Sequence, residues 1–341
     1  MRFGYWMPVF GGWLRNVRDE EMSIAWPYIK DLAAGSERLG FDVTLIAELN
    51  LNDIKGHRAP SLDCWTLAPA VAAVTSELEL MLAVRPNYHS PSLAAKALST
   101  LDTIAPGRLS LNVVSSWWRD EARQYGAPFD VHDARYARTE EWLSVVSGLL
   151  GEDTVTHLGP LYQLEGAILE PKPARPPMVY MGGESPKAKE VIAARADGYL
   201  MHGDPPDVIA AKVGDLASRR EAAGRPPLTF GVSGYVICRD TEAAASAELE
   251  RILDVKSSPE AYASYQDFIA GSQLESGVSL EEYSVSNRGL RSGLIGTPEQ
   301  IIDRLAAYEK AGIDLVLLQF SPQREEMARF ADAVISQYRS S

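Results

Sequence analysis

Short apolar runs alternate with longer stretches of helical spacing along almost the whole chain. Runs with the length and composition of buried strands occur at Arg2–Pro8, Phe41–Ile46, Leu78–Val84, Leu109–Val114, Met178–Met181, Gly198–Met201, Thr229–Cys238 and Asp314–Phe320. The intervening stretches predict helices over Glu20–Leu39, Asp63–Thr75, Ser92–Ile104, Asp133–Leu150, Ser185–Ala196, Asp207–Ala223, Thr241–Asp254 and Pro298–Ala311. Gly40 stands where a C-cap glycine ends a helix, and Ser90-Pro91 where one starts. Such strict alternation predicts an α/β fold, a (β/α)8 TIM barrel with insertions, read as one domain over residues 1–341. Two segments break the rhythm. Thr154–Gly166 reads as a hairpin around Gly159-Pro160, and Lys256–Gly293 as a long, serine-rich, partly helical insertion placed to act as a lid.

Composition narrows the class of partner. A net charge of −13 argues against nucleic acid or an anionic membrane, so any phosphate site must be local. Cys64 and Cys238 are far apart and have no metal spacing, which predicts buried free thiols. No signal peptide opens the chain and no apolar run nears the ~18 residues of a membrane span, so a cytoplasmic protein is expected. The histidines lack any H-E-x-x-H spacing, and no metal is expected. G-x-S-x-G, Walker A and post-strand G-x-G-x-x-G motifs are absent too, which leaves no orthodox place for a nicotinamide.

Candidate chemistry gathers where strands hand over to loops, the end at which parallel α/β folds bind ligands. The fourth strand runs through Asn112 into Ser115-Ser116-Trp117-Trp118-Arg119-Asp120-Glu121. The fifth delivers Gly182-Gly183-Glu184-Ser185, a turn whose serine would open a helix and offer amide donors to a phosphate. An ordinary serine N-cap is the plain alternative. Arg135-Tyr136, at the next helix start, could add a guanidinium and a phenol, or be a solvated first turn. The third strand ends in Arg85-Pro86-Asn87-Tyr88-His89, which brings a cation and an imidazole to the same rim.

These segments, together with Gly107-Arg108, Gly203-Asp204-Pro205-Pro206, Leu294-Ile295-Gly296-Thr297-Pro298 and Gly312-Ile313-Asp314, make the chain resemble the bacterial luciferase-like flavin-dependent monooxygenases. The nearest branch holds the alkanesulfonate, dimethylsulfone and pyrimidine enzymes. The resemblance implies a barrel that binds reduced FMN supplied by a separate NAD(P)H-dependent flavin reductase, with O2 as co-substrate and a homodimeric or homotetrameric assembly. It carries flavin contacts onto Asn112, Glu121, Arg135, Tyr136, Gly183 and Ser185, with the phosphate at Ser185. Ser61, His89, Tyr235 and Trp117, with its neighbour Trp118, are expected to shape the catalytic and substrate side.

Departures from the family pattern bear on the substrate. Ser61 stands where the alkanesulfonate enzymes carry a cysteine, and Ser233-Gly234-Tyr235 where they carry Arg-x-His. Phe320 replaces a tyrosine, Pro322 a histidine of the sulfone enzymes, and Leu49 a lysine of the pyrimidine enzymes. Arg288 and Arg291 remain as anion or lid contacts, or as a solvated loop. The lost donors and charges point to a small neutral substrate. Oxidative C–N cleavage of a nitrogen heterocycle is the first expectation, and C–S cleavage of a sulfone or alkanesulfonate the second. A deazaflavin-dependent oxidoreductase or a flavin-storage protein of the same fold are the other readings.

Overall fold

The computed structural model describes residues 1–254, 265 and 279–339. Its strands are β1 (Arg2–Trp6), β2 (Val43–Ile46), β3 (Glu79–Val84), β4 (Leu109–Val113), β5 (Val155–Leu158), β6 (Gln163–Ala167), β7 (Met178–Met181), β8 (Gly198–Met201), β9 (Thr229–Tyr235), β10 (Ile237–Cys238), β11 (Ile295–Gly296) and β12 (Leu315–Gln319). The helices are α1 (Trp26–Arg38), α2 (Cys64–Ala72), α3 (Pro91–Ile104), α4 (Arg119–Gln124), α5 (His132–Gly151), α6 (Pro186–Arg195), α7 (Pro206–Ala222), α8 (Glu242–Leu253), α9 (Pro298–Lys310) and α10 (Gln323–Phe330). Eight parallel strands close into a barrel in the order β1-β12-β9-β8-β7-β4-β3-β2, as the alternation predicts.

Side chains alternate between the two faces of each barrel strand. On β1 the outward residues meet the helical layer: Phe3 packs edge-on against Phe330, and Tyr5 packs on Phe41 while its hydroxyl meets Ser36 of α1 at 3.1 Å. The inward face passes Gly4, where a Cβ would lie 2.5 Å from Leu317 Cδ2 and 2.6 Å from Val43 Cγ1. Two neighbouring strands therefore fill the space that glycine leaves, and the lower barrel is packed solid. Higher up, the inward positions turn polar, with Asn112 on β4, Ser233 and Tyr235 on β9, and Gln319 on β12, all buried.

Several boundaries differ from the sequence expectation. Residues 20–25 are not helical; Glu20 instead accepts the Trp13 and Leu14 amides, each at 2.9 Å, and holds the long loop after β1. Pro27 then occupies the first turn of α1, where its missing N–H costs nothing. The run Thr229–Cys238 splits: β9 ends at Tyr235, and Ile237–Cys238 pairs outside the barrel with β11. The short helix α4 and the C-terminal α10 were not foreseen. The hairpin is present as antiparallel β5 and β6, pinned to α5 by Glu141, which accepts the Leu161 and Tyr162 amides at 3.1 and 2.8 Å.

Of the expected lid, residues 256–264 and 266–278 lie outside the described residues. Its last part, Glu282–Ser284 and Ser286–Ser292, forms two 3-10 turns over the β8, β9 and β12 ends. The Arg15 amide bonds Ser284 O at 3.0 Å, and Tyr308 of α9 donates to Ser292 O at 2.8 Å.

Gly4→Ala should destabilise the barrel by about 1–3 kcal/mol, because neither Leu317 nor Val43 can retreat in a filled interior. Urea denaturation measures the loss; an unchanged midpoint would mean that the interior is loose.

Candidate functional site

At the C-terminal end of the barrel, buried charges are organised first. Arg85 leaves β3 almost wholly buried, and both terminal nitrogens of its guanidinium meet the fully buried Glu121 of α4, with Nη2 to Oε1 at 3.2 Å. The Arg85 main-chain N–H donates to Glu48 Oε2 at 2.7 Å, and its Nε lies 3.5 Å from the same oxygen. Glu48 extends the β2 run, and its other oxygen bonds His89 Nε2. Tyr88 donates to Glu121 Oε2 at 3.2 Å while its ring lies 4.3 Å under the guanidinium. Burial alone would lower the Arg85 pKa, but the hydrogen bond and charge of Glu121 reverse the direction and hold it raised.

A second constellation forms where β7 meets α6. Ser185 caps α6, its Oγ accepting the Ala188 amide at 3.1 Å, with Pro186 in the first turn. Gly183 adopts φ 138°, and a Cβ there would lie 2.8 Å from Tyr136 Oη and 2.7 Å from Ala188 Cβ. Only glycine lets Tyr136 and Ala188 come this close to the turn. Burial raises the Tyr136 phenol pKa, and the neighbouring Ser185 hydroxyl offsets part of that rise. Its neighbour Arg135 bonds Ser116 O, and the buried Arg135 Nε has no partner among the described residues. Arg135 lines a small cavity with Pro86, Asn87, Ser115, Ser116 and Thr139.

Aromatic groups occupy the mouth. Ser116 sits in the left-handed region at φ 55°, a strained conformation for serine, and the chain emerging from it aims two indoles outward. Trp117 stacks on Trp118 at 5.4 Å and 4°, and His57 meets Trp118 edge-on. Trp117 is 42% exposed. Tyr235 is buried, and burial pushes its phenol pKa up. Ser61 is half-buried, its hydroxyl 3.5 Å from Asn50 O. No cluster of His, Cys, Asp or Glu among the described residues is arranged to hold a metal.

The third feature ties the 286–292 segment to the rim. Glu184 pairs with Lys212 at 2.8 Å and with the buried Arg288 at 3.0 Å, while Asp204 pairs with Lys212 at 2.7 Å and Arg291 at 2.8 Å. Arg291 also reaches Glu282 at 3.2 Å. Burial would raise the Glu184 pKa, but Lys212 and Arg288 outweigh it and hold the carboxyl at about 2. Arg288 and Arg291 are thus neither a solvated loop nor open anion contacts.

The structure unites Tyr136, Gly183 and Ser185 as one cradle and places Asn112 on the buried barrel wall. Glu121 faces Arg85, Tyr88 and the Asn50 amide rather than the mouth. Ser61 and His89 lie on the β2–β3 side, away from Tyr235 on β9. Sequence reasoning missed Glu48 and the Glu184–Lys212–Asp204 network. Glu48 carried a signal, a carboxylate directly following the apolar run Val43–Ala47.

Three comparisons bear on this site. The family model described as luciferase-like monooxygenase matches residues 1–315. The chain is 33% identical over 345 residues to an FMNH2-dependent dimethylsulfone monooxygenase of Pseudomonas fluorescens (strain Pf0-1), covering 98% of this chain and 93% of that protein. It is also 33% identical to the Pseudomonas putida protein of the same description, covering 98% and 94%. Among solved structures, a long-chain alkane monooxygenase superposes with a TM-score of 0.85 at 20% identity, covering 100% of this chain and 91% of that one. At that identity the likeness speaks for the fold.

The Glu184 carboxyl is depressed to about 2 from 4.5, so its stabilising effect is complete above pH 4.5 and is lost as pH falls through 2. Glu184→Gln should therefore lower Tm at pH 7, and the gap to the unmodified protein should narrow as pH falls below 4.5. A gap that stays constant from pH 7 to 3 would mean that the pairs with Lys212 and Arg288 do not form.

Proposed function

The chain belongs to the luciferase-like monooxygenase family, and on that premise we propose that it uses reduced FMN and O2 to oxygenate a small neutral sulfone and break a carbon–sulfur bond. The observation that carries this reading is the 33% identity, over nearly the full length of both chains, to the dimethylsulfone monooxygenases. The charge arrangement supports a neutral substrate. Arg85, Arg288 and Arg291 are each matched by carboxylates, so a sulfonate would have to break an existing pair to find its counter-ion. Carbon–nitrogen cleavage of a heterocycle, the first expectation from sequence, becomes the competing outcome of the assay.

The residues present fit a flavin mononucleotide. Gly183 lets Tyr136 and Ala188 approach the backbone closely, and the turn lies at the N-terminus of α6, where amide dipoles favour a phosphate. Tyr136 and Ser185 would hold that phosphate, and the unpartnered Arg135 Nε adds a donor nearby. Asn112 would meet a polar edge of the ring system from the barrel wall. When bound, the reduced flavin supplies two electrons and reacts with O2, one oxygen atom passing to substrate and the other leaving as water. Tyr235, buried on β9, excludes bulk water from the reacting centre, while Trp117 and Trp118 flank the mouth. Glu121 serves the site through Arg85, and Ser61 and His89 face the substrate side. With no dinucleotide fingerprint in the chain, a separate NAD(P)H-dependent reductase supplies the flavin.

Incubation with a flavin reductase, NADH, FMN, O2 and dimethylsulfone should release a sulfinate and formaldehyde in equal amounts. Consumption of a uracil-type heterocycle with no sulfinate from the sulfone would overturn the substrate assignment in favour of C–N cleavage. Ser185→Asp sets a carboxylate against the phosphate and should cost on the order of 1.5–3 kcal/mol, a roughly tenfold to hundredfold weaker Kd for reduced FMN. Anaerobic titration reads the change; unaltered affinity would remove the phosphate from this cradle.

A further inference from the structure

His89 is held in a way that neither packing nor flavin binding requires. Its Nε2 bonds Glu48 Oε1, and Glu48 Oε2 is in turn fixed by the Arg85 main-chain N–H at 2.7 Å. Its ring leans on Trp65 of α2, with centroids 5.0 Å apart at 36°, and its carbonyl accepts the Trp142 indole N–H at 2.9 Å. The ring is thus anchored at one nitrogen, on one face and at its backbone. The side chain remains 24% exposed, and among the described residues Nδ1 has no hydrogen-bond partner. A carboxylate at Nε2 selects the tautomer with its hydrogen there, which leaves the lone pair on Nδ1. The charged groups that bear on the ring are Glu48 directly, and Arg85 and Glu121 through it.

We infer that His89 is the base for the bond-breaking step, with Glu48 as its positioning residue; this rests on the function proposed above. Oxygenation of the carbon beside a sulfonyl group leaves a hydroxyl on that carbon. His89 Nδ1 takes the hydroxyl proton, and the released O–H electron pair becomes the second carbon–oxygen bond. The carbon–sulfur bond breaks, its pair leaving on sulfur as a sulfinate, and His89 returns the proton to solvent. No oxidant or reductant enters this step. Glu48 holds the ring by Nε2 and stabilises the imidazolium while it lasts.

The test compares His89→Ala, His89→Gln and Glu48→Gln with the unmodified enzyme in the sulfinate assay, with reduced-FMN affinity measured on each. His89→Ala should lower kcat about 100-fold or more while KM and FMN affinity hold, and added imidazole should restore part of the rate. His89→Gln, which fills the space without the base, should be equally slow. Glu48→Gln should lower kcat without changing KM, and imidazole should not help it because the ring is present. Undiminished kcat in His89→Ala overturns the inference. A loss that imidazole does not restore also overturns it, whatever the FMN affinity. Should Glu48→Gln fail to fold, the imidazole response of His89→Ala still decides. Absence of sulfinate from the unmodified enzyme would remove the carbon–sulfur reading, and this inference with it, before any variant is compared.

Discussion

A guanidinium removed from water must be met by carboxylates in good geometry, and Arg85 imposes that demand just after β3 at the barrel's C-terminal end. Glu121 answers through both terminal nitrogens and Glu48 answers at the main chain and Nε, so β2, β3 and α4 are bound to one charge. The loop after β2 joins through the Asn50 amide on Glu121, and Tyr88 covers the guanidinium face. Removing one partner from such a group typically costs about 3–5 kcal/mol, because the other charge is left buried and alone. Two carboxylates around one cation leave one carboxylate oxygen still in need of a donor. The imidazole of His89 sits on that remaining oxygen.

The same logic, with weaker burial, governs the opposite side of the mouth. Glu184 and Asp204 follow β7 and β8, and they draw Lys212, Arg288 and Arg291 onto the rim. Arg288 pays for its place with a left-handed backbone at φ 51°, where a non-glycine residue is strained. Gly289 beside it lies so close to β9 that a Cβ would come within 2.8 Å of Tyr235 Cβ. The segment is therefore held by charge at its edges and by close backbone approach at its middle. Between the two clusters the inward residues are neutral: Asn112, Ser233, Gln319 and Tyr235. The mouth between the two charged clusters is therefore lined by neutral side chains.

The barrel was legible because strand and helix periods differ and each apolar run is short enough to be a strand. The start of the helix after β7 was legible too, since a serine directly before a proline at a strand-to-helix turn reads as an N-cap, which Ser185 is. Glu121 was a different case. The family resemblance carried a flavin contact onto it, whereas the fold commits its carboxylate to Arg85, 36 positions earlier in the chain. Arg288 and Arg291 looked like solvated or ligand-binding cations for the same reason, their partners being 104 and 87 positions away in Glu184 and Asp204. The helix drawn from Glu20 failed because Glu20 caps a loop through Trp13 and Leu14, a bond that amphipathic spacing cannot register.

What the sequence determined by itself is local. It specifies which runs are strands, where Ser185, Asp63, Thr241 and Thr297 cap helices, and where glycine must stand for a turn to be possible. These depend on neighbours within a few positions, so a linear pattern contains them. Tertiary structure alone decided which charges cancel and which side chains keep an unused hydrogen-bonding atom. In the sequence Arg85, Glu121 and His89 stand out only as separate residues at strand ends, and Glu48 only as a carboxylate after an apolar run. They become a site only when barrel closure brings three loops within hydrogen-bond reach, because burial makes each charge's partner a matter of position in space.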